Sequence, residues 1–162
     1  MNTKYLLPLV AATTLAGMAV SAPASASPQR PIRGNSAVSI SSIHFVQTGR
    51  GGRRGNNGNL DDEYIRIRNN GNSSVQLRDW EIRDRGRHVY TFDSYILGRG
   101  QSVEVHTGNG IDGSPRYSDL YWDQRRPVWS ANNNDTAYLE NASLRTVDTC
   151  SYWGVFGNSV TC

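Results

Sequence analysis

Glu63-Tyr64-Ile65-Arg66-Ile67-Arg68-Asn69 decides the fold. Ile65 and Ile67 fall on one face, Tyr64, Arg66 and Arg68 on the other, and Asn70-Gly71-Asn72 ends the run. Alternation of period two between turn residues predicts a half-buried antiparallel strand. The same rhythm recurs on both sides of it. Upstream, Ala37 to Gln47 alternates twice, first through Val38 and Ile40, then one residue out of phase through Ile43 and Phe45. A bulge or bend at Ser41-Ser42 must absorb that slip.

Downstream, Val75 and Leu77 precede Trp80-Glu81-Ile82-Arg83, where alternation turns Trp80 and Ile82 inward together. Asp84-Arg85-Gly86-Arg87 reads as the turn of a hairpin into His88–Phe92, with Tyr90 and Phe92 on one face. Leu97-Gly98-Arg99-Gly100 predicts a tight connection with positive φ at one or both glycines. Ser102–His106 alternates again, and Thr107–Asp119 is a long turn-rich loop. Leu120-Tyr121-Trp122 and Pro127-Val128-Trp129 are aromatic-dense but too short and proline-broken for a central strand. Thr136–Glu140 and Thr146–Cys150 close the domain as a hairpin about Asn141-Ala142. Short strands spaced roughly 8–12 residues apart predict an all-β sandwich or barrel.

The N-terminus follows different rules. Lys4 precedes an apolar run from Tyr5 to Val20, and Ser21-Ala22-Pro23-Ala24-Ser25-Ala26 supplies small residues of the A-x-A type. This pattern predicts a signal peptide over residues 1–26, cleaved after Ala26, and a secreted, extracellular product. The apolar run is shorter than the ~20 residues a transmembrane helix needs. Leu15-Ala16-Gly17-Met18 puts Met18 where a lipoprotein box requires cysteine, so no lipid anchor is expected. No membrane insertion is expected after cleavage, and residues 27–36 read as a flexible leader to a domain over 37–162.

About 135 residues then remain, enough for one self-sufficient core. The formal charge of +3 includes Lys4, the one lysine of the chain, so it falls to +2 with the leader. That balance singles out neither nucleic acid nor membrane as partner. The charge is uneven, however: Arg30, Arg33, Arg50, Arg53 and Arg54 all precede Asp61, the first acidic residue. The two cysteines, Cys150 and Cys162, are both near the C-terminus, and in an exported chain they are expected to form a disulfide. Such a bridge would staple the tail Trp153-Gly154-Val155-Phe156-Gly157 back onto the last strand.

These segments, in this order, resemble the lamin tail domain in its bacterial, exported form. The matching pieces include Asp62–Gly71, Val75–Asp84, Tyr90-Thr91-Phe92, Gly98–Gly108, Asp119–Trp122, Pro127–Ala137 and Val147–Tyr152. The resemblance implies an immunoglobulin-like antiparallel β-sandwich. It also implies a non-catalytic binding or interaction module, since the domain carries no catalytic residues of its own. Both cysteines are terminal, so the inter-sheet Cys-Trp-Cys pattern of antibody domains is lacking.

Candidate chemistry is sparse. His44, His88 and His106 sit on separate strands without metal-ligand spacing, and no Gly-x-Ser-x-Gly elbow occurs. No cofactor, metal or catalytic residue is therefore assigned. Asp61, Asp62 and Glu63, or Asp112, Asp119 and Asp123, could hold calcium, but turns use the same residues for backbone reasons. Arg50, Arg53 and Arg54 with their glycines form a segment able to track a polyanion such as extracellular DNA; the alternative is a solvated loop. Trp122 and Trp129 offer a ligand-facing aromatic platform, against the alternative that they pack in the core. The expected product is a monomeric module for an unknown protein or cell-surface polymer. A small secreted hydrolase or nuclease is the alternative from another class.

Overall fold

The computed structural model describes residues 37–46, 59–130, 134–153 and 157–162, and the leader lies outside them. Along the chain the strands are β1 (Val38–His44), β2 (Tyr64–Asn69), β3 (Val75–Gln76), β4 (Glu81–Arg83), β5 (Val89–Thr91) and β6 (Ile96–Leu97). They continue with β7 (Ser102–His106), β8 (Asp119–Tyr121), β9 (Asp135–Glu140), β10 (Thr146–Tyr152) and β11 (Ser159–Thr161). A 3-10 turn at Leu60–Asp62 introduces β2.

One sheet has the order β11-β1-β2-β7-β8, the second β10-β9-β4-β5, and β3 pairs with β6 in a small third ladder. The two larger sheets pack as a sandwich. Ile40, Ile43, Ile65, Ile67, Val103 and Val105 from the first meet Ile82, Ala137, Leu139 and Tyr152 from the second in one buried cluster. The inward set of β2 is the set that its alternation predicts: Ile65 and Ile67 are both inaccessible. The slip in β1 is a bulge, with register breaking between Ile40 and Ser42. The Ile40 N–H there donates to the Asp148 carboxylate of β10, 2.8 Å away across the sandwich.

Two expectations need correction. The β7–β8 pair is parallel, the one departure from antiparallel pairing among the described strands. The chain loops out through residues 107–118 and returns beside β7 in the same direction, which a parallel neighbour requires. The tail is tied to β10 by the Cys150–Cys162 bridge, as expected, while its own strand β11 pairs with β1 in the opposite sheet. Trp80 is half-buried at the margin of the core rather than inside it. Asp79 has φ of 62°, and the Trp80 N–H closes a turn onto the Leu77 carbonyl at 2.9 Å. That turn takes Trp80 out of the alternation, which begins only at Glu81.

Asn69 shows how polar groups are kept inside this fold. It is inaccessible, and its amide donates to the Ser73 and Leu97 carbonyls at 2.8 and 2.9 Å while its oxygen accepts from Gly71 N–H at 2.9 Å. Gly100, with φ of 69°, completes the same corner by donating its N–H to the Asn69 carbonyl. Asn69→Ala leaves these groups unpaired and is expected to cost about 2–3 kcal/mol. Denaturant unfolding with an unchanged m-value checks it; a loss under 1 kcal/mol contradicts the assignment.

Candidate functional site

Strand register places two rows of side chains across the outer face of the five-stranded sheet. His44 pairs with Tyr64, Tyr64 with His106, and His106 with Tyr121. Their rings follow one another at 5.1, 5.4 and 5.2 Å, with the first and last contacts stacked. The adjoining row is Ser42, Arg66, Glu104 and Asp119. A cleft of about 590 Å³ lies over His44, Tyr64 and His106 of the first row and Arg66 and Glu104 of the second, bordered by Asn59, Asp61 and Arg116.

The second row is charged and ordered. The Arg66 guanidinium donates through Nε and Nη2 to Glu104 Oε1 at 2.9 and 2.5 Å, and the pair holds the Arg66 pKa above its usual value. That leaves Glu104 Oε2 3.8 Å from His106 Nε2, with Asp119 Oδ1 4.0 Å from the same nitrogen. Donor atoms of Glu104, His106 and Asp119 all lie within 4.8 Å of one another, a set able to hold a metal ion. His44, His88 and His106 lie on or beside separate strands, with no local metal-ligand spacing. Two of the three nevertheless flank Tyr64, while His88 stands apart, bonded to Asp84 at 2.7 Å. No local spacing signals this, because the grouping exists only once β1, β2, β7 and β8 are in register.

A second concavity of about 440 Å³ opens beside the 111–118 loop. Tyr95, nearly buried, stacks at 5.2 Å on Tyr117, which is 69% exposed. Tyr90, Asp93, Asp112 and Leu120 complete its walls. Burial, then the nearby Asp112 and Asp93 carboxylates, push the Tyr90 phenol well up, so it remains a neutral hydroxyl at ordinary pH.

The sequence-derived candidates fare unequally. Trp122 and Trp129 do not face a ligand: they are 6% and 1% exposed, meet edge-to-face at 6.0 Å, and belong to the core cluster. Trp122 Nε1 donates to the Val89 carbonyl at 3.1 Å, and the Trp129 backbone N–H donates to Glu63. Cys150 and Cys162 form the expected disulfide. Arg50, Arg53 and Arg54 lie outside the described residues. The carboxylates proposed for calcium serve separate ends. Glu63 is buried, Asp112 accepts the Tyr121 N–H at 2.8 Å, and Asp119 is turned to the sheet face. Among the described residues no helix is long and apolar enough to cross a membrane.

The family described as Lamin Tail Domain matches residues 32–154 of the chain. No curated protein matches it.

Proposed function

We propose that this chain, which belongs to the lamin tail domain family, works as an exported, non-catalytic binding module for a polysaccharide of the cell surface. Export rests on the leader sequence of residues 1–26 and agrees with the Cys150–Cys162 bridge, since disulfides persist in oxidising compartments. The observation that carries the ligand class is the Tyr95–Tyr117 pair. An exposed ring held parallel to a buried one presents a fixed apolar face, the surface on which the C–H side of a sugar ring stacks. Asp93, Ser94 and Asp112 stand around it as hydroxyl partners. A concave site with an aromatic floor and a few convergent polar groups is how proteins take up polar organic ligands. The aromatic platform is thus retained from the sequence reading but moved from the tryptophans to the tyrosines.

Sedimentation with purified cell-wall polysaccharide tests this. The wild-type chain should pellet with the polymer and Tyr117→Ala should reduce the retained fraction at least fivefold. The Arg50→Ser/Arg53→Ser/Arg54→Ser variant should pellet as wild type does. The reverse pattern, with retention on double-stranded DNA at low salt lost in the arginine variant, would replace this reading with polyanion binding. Turnover of glycan or nucleic acid in the same samples, abolished by EDTA, would replace it with hydrolysis.

A further inference from the structure

His106 sits on β7 beside two carboxylates, Glu104 and Asp119. Its Nδ1 lies 2.6 Å from the Asp61 carbonyl, an acceptor, so the ring hydrogen of the neutral imidazole belongs on Nδ1 and the lone pair on Nε2. That Nε2 is inaccessible and without a hydrogen-bond partner, on a side chain 13% exposed. It faces Glu104 Oε2 and Asp119 Oδ1, at 3.8 and 4.0 Å. Three lone-pair donors gathered within 4.8 Å of one another have no favourable arrangement among themselves. Either a proton on Nε2 or a cation between the three relieves them.

We propose that Glu104, His106 and Asp119 form a binding site for a divalent transition metal ion of the zinc type. An imidazole nitrogen selects zinc and its neighbours over calcium and magnesium, which take oxygen donors. Tetrahedral zinc, with bonds of about 2.0–2.2 Å, sets its donors roughly 3.4 Å apart. The two spacings to His106 Nε2, 3.8 and 4.0 Å, therefore need to contract by about half an ångström to reach that geometry. Glu104 and His106 also line the cleft above the sheet.

The surroundings match what a metal-binding histidine requires. A backbone carbonyl on the remote ring nitrogen fixes tautomer and plane, the usual outer partner of such a ligand. Tyr64 and Tyr121 pack on the two sides of the imidazole. Arg66 occupies Glu104 Oε1 and so presents Oε2 to the site. Arg116 N–H, at 3.2 Å from Oδ2, and the Ser118 hydroxyl, at 3.4 Å from Oδ1, orient Asp119. The Arg66 charge works against a cation, but its bonds to the carboxylate are already made. None of this depends on the polysaccharide reading, whose cleft is lined by other residues.

Calorimetric titration of the EDTA-stripped full chain with zinc chloride should show one equivalent bound. His106→Gln and Asp119→Asn should each weaken binding at least tenfold, and His44→Gln should leave it unchanged. Calcium chloride at the same concentration should not compete. Nitrogen-15 spectra of the wild-type imidazoles give a check that needs no variant: zinc should shift His106 Nε2 while Nδ1 keeps its hydrogen. Absence of zinc binding, binding that survives His106→Gln, or an Nε2 resonance moved by acid and not by zinc would overturn the proposal. The last outcome would leave a protonated histidine bridging two carboxylates.

Discussion

Replacing Glu63 by alanine is expected to cost about 3–5 kcal/mol and to release Trp129 from the core. Glu63 is inaccessible, and its Oε1 accepts from the Thr107 hydroxyl at 2.8 Å and from the Val128 and Trp129 N–H groups at 2.7 and 3.2 Å. One acidic side chain thus ties the entry of β2 to the end of β7 and to the segment that inserts Trp129. Alanine would leave these donors buried and unpaired, at about 1–3 kcal/mol each before relaxation. Glutamine keeps one acceptor oxygen but exchanges the other for an NH₂, so its cost should be roughly half that of alanine. Trp fluorescence and denaturant midpoints measure both. Alanine within 1 kcal/mol of wild type would show that Glu63 holds nothing together.

The pH dependence of that comparison has a definite sign. Burial pushes the Glu63 carboxyl above its ordinary value, and the hydrogen bonds from Thr107, Val128 and Trp129 pull it only part of the way back. A folded-state pKa above the unfolded one means that the native state binds the proton more tightly. The stabilising contribution is complete below the ordinary carboxylate pKa and is lost as pH rises through the raised one. Across that window, acidification should therefore favour the wild type relative to Glu63→Gln. Glu140, whose pKa Arg83 holds down, contributes in the opposite direction but is common to both proteins. A difference that grows with rising pH would contradict the shift.

Glu63 also shows where sequence reading reaches its limit. The alternation that places Ile65 and Ile67 inside puts Glu63 and Asn69 on the same face. Both were legible as inward residues, but their polarity suggests turns or calcium instead. Their partners come from segments far along the chain: Val128 and Trp129 for one, Leu97 for the other. Strand identity is a local property, and β2, β7, the β1 bulge and the β4–β5 hairpin were all readable from spacing. Register between strands is not local. The row His44-Tyr64-His106-Tyr121, the parallel seat of β8 and the crossing of β11 to the opposite sheet each depend on it. Trp122 and Trp129 lay in a stretch with no usable period, so their direction could not be derived. Contacts with Val89 and Glu63 decide it.

Removing the disulfide through Cys150→Ser/Cys162→Ser is expected to cost about 3 kcal/mol, most of it through the freed unfolded chain. Its placement adds a specific failure. Cys150 lies on β10, an edge of the four-stranded sheet, and Cys162 directly follows β11, an edge of the five-stranded one. The bond therefore laces the two sheets along one side, where the Asp148–Ile40 hydrogen bond is a second tie. β11 has only three residues and half-buries Val160 alone, so pairing with β1 gives it little stability without that tether. Local opening of β11 should then precede global unfolding. Hydrogen exchange reads the difference. In the serine variant the backbone amide at position 162, which in the wild type donates to the Ser41 carbonyl at 3.0 Å, should lose its protection. The Ile65 and Ile67 amides should lose only the protection that the drop in global stability removes. Uniform loss across both sheets would mean that the bridge supports the sandwich as a whole. Unchanged protection at position 162 would mean that β11 holds its place by strand pairing alone.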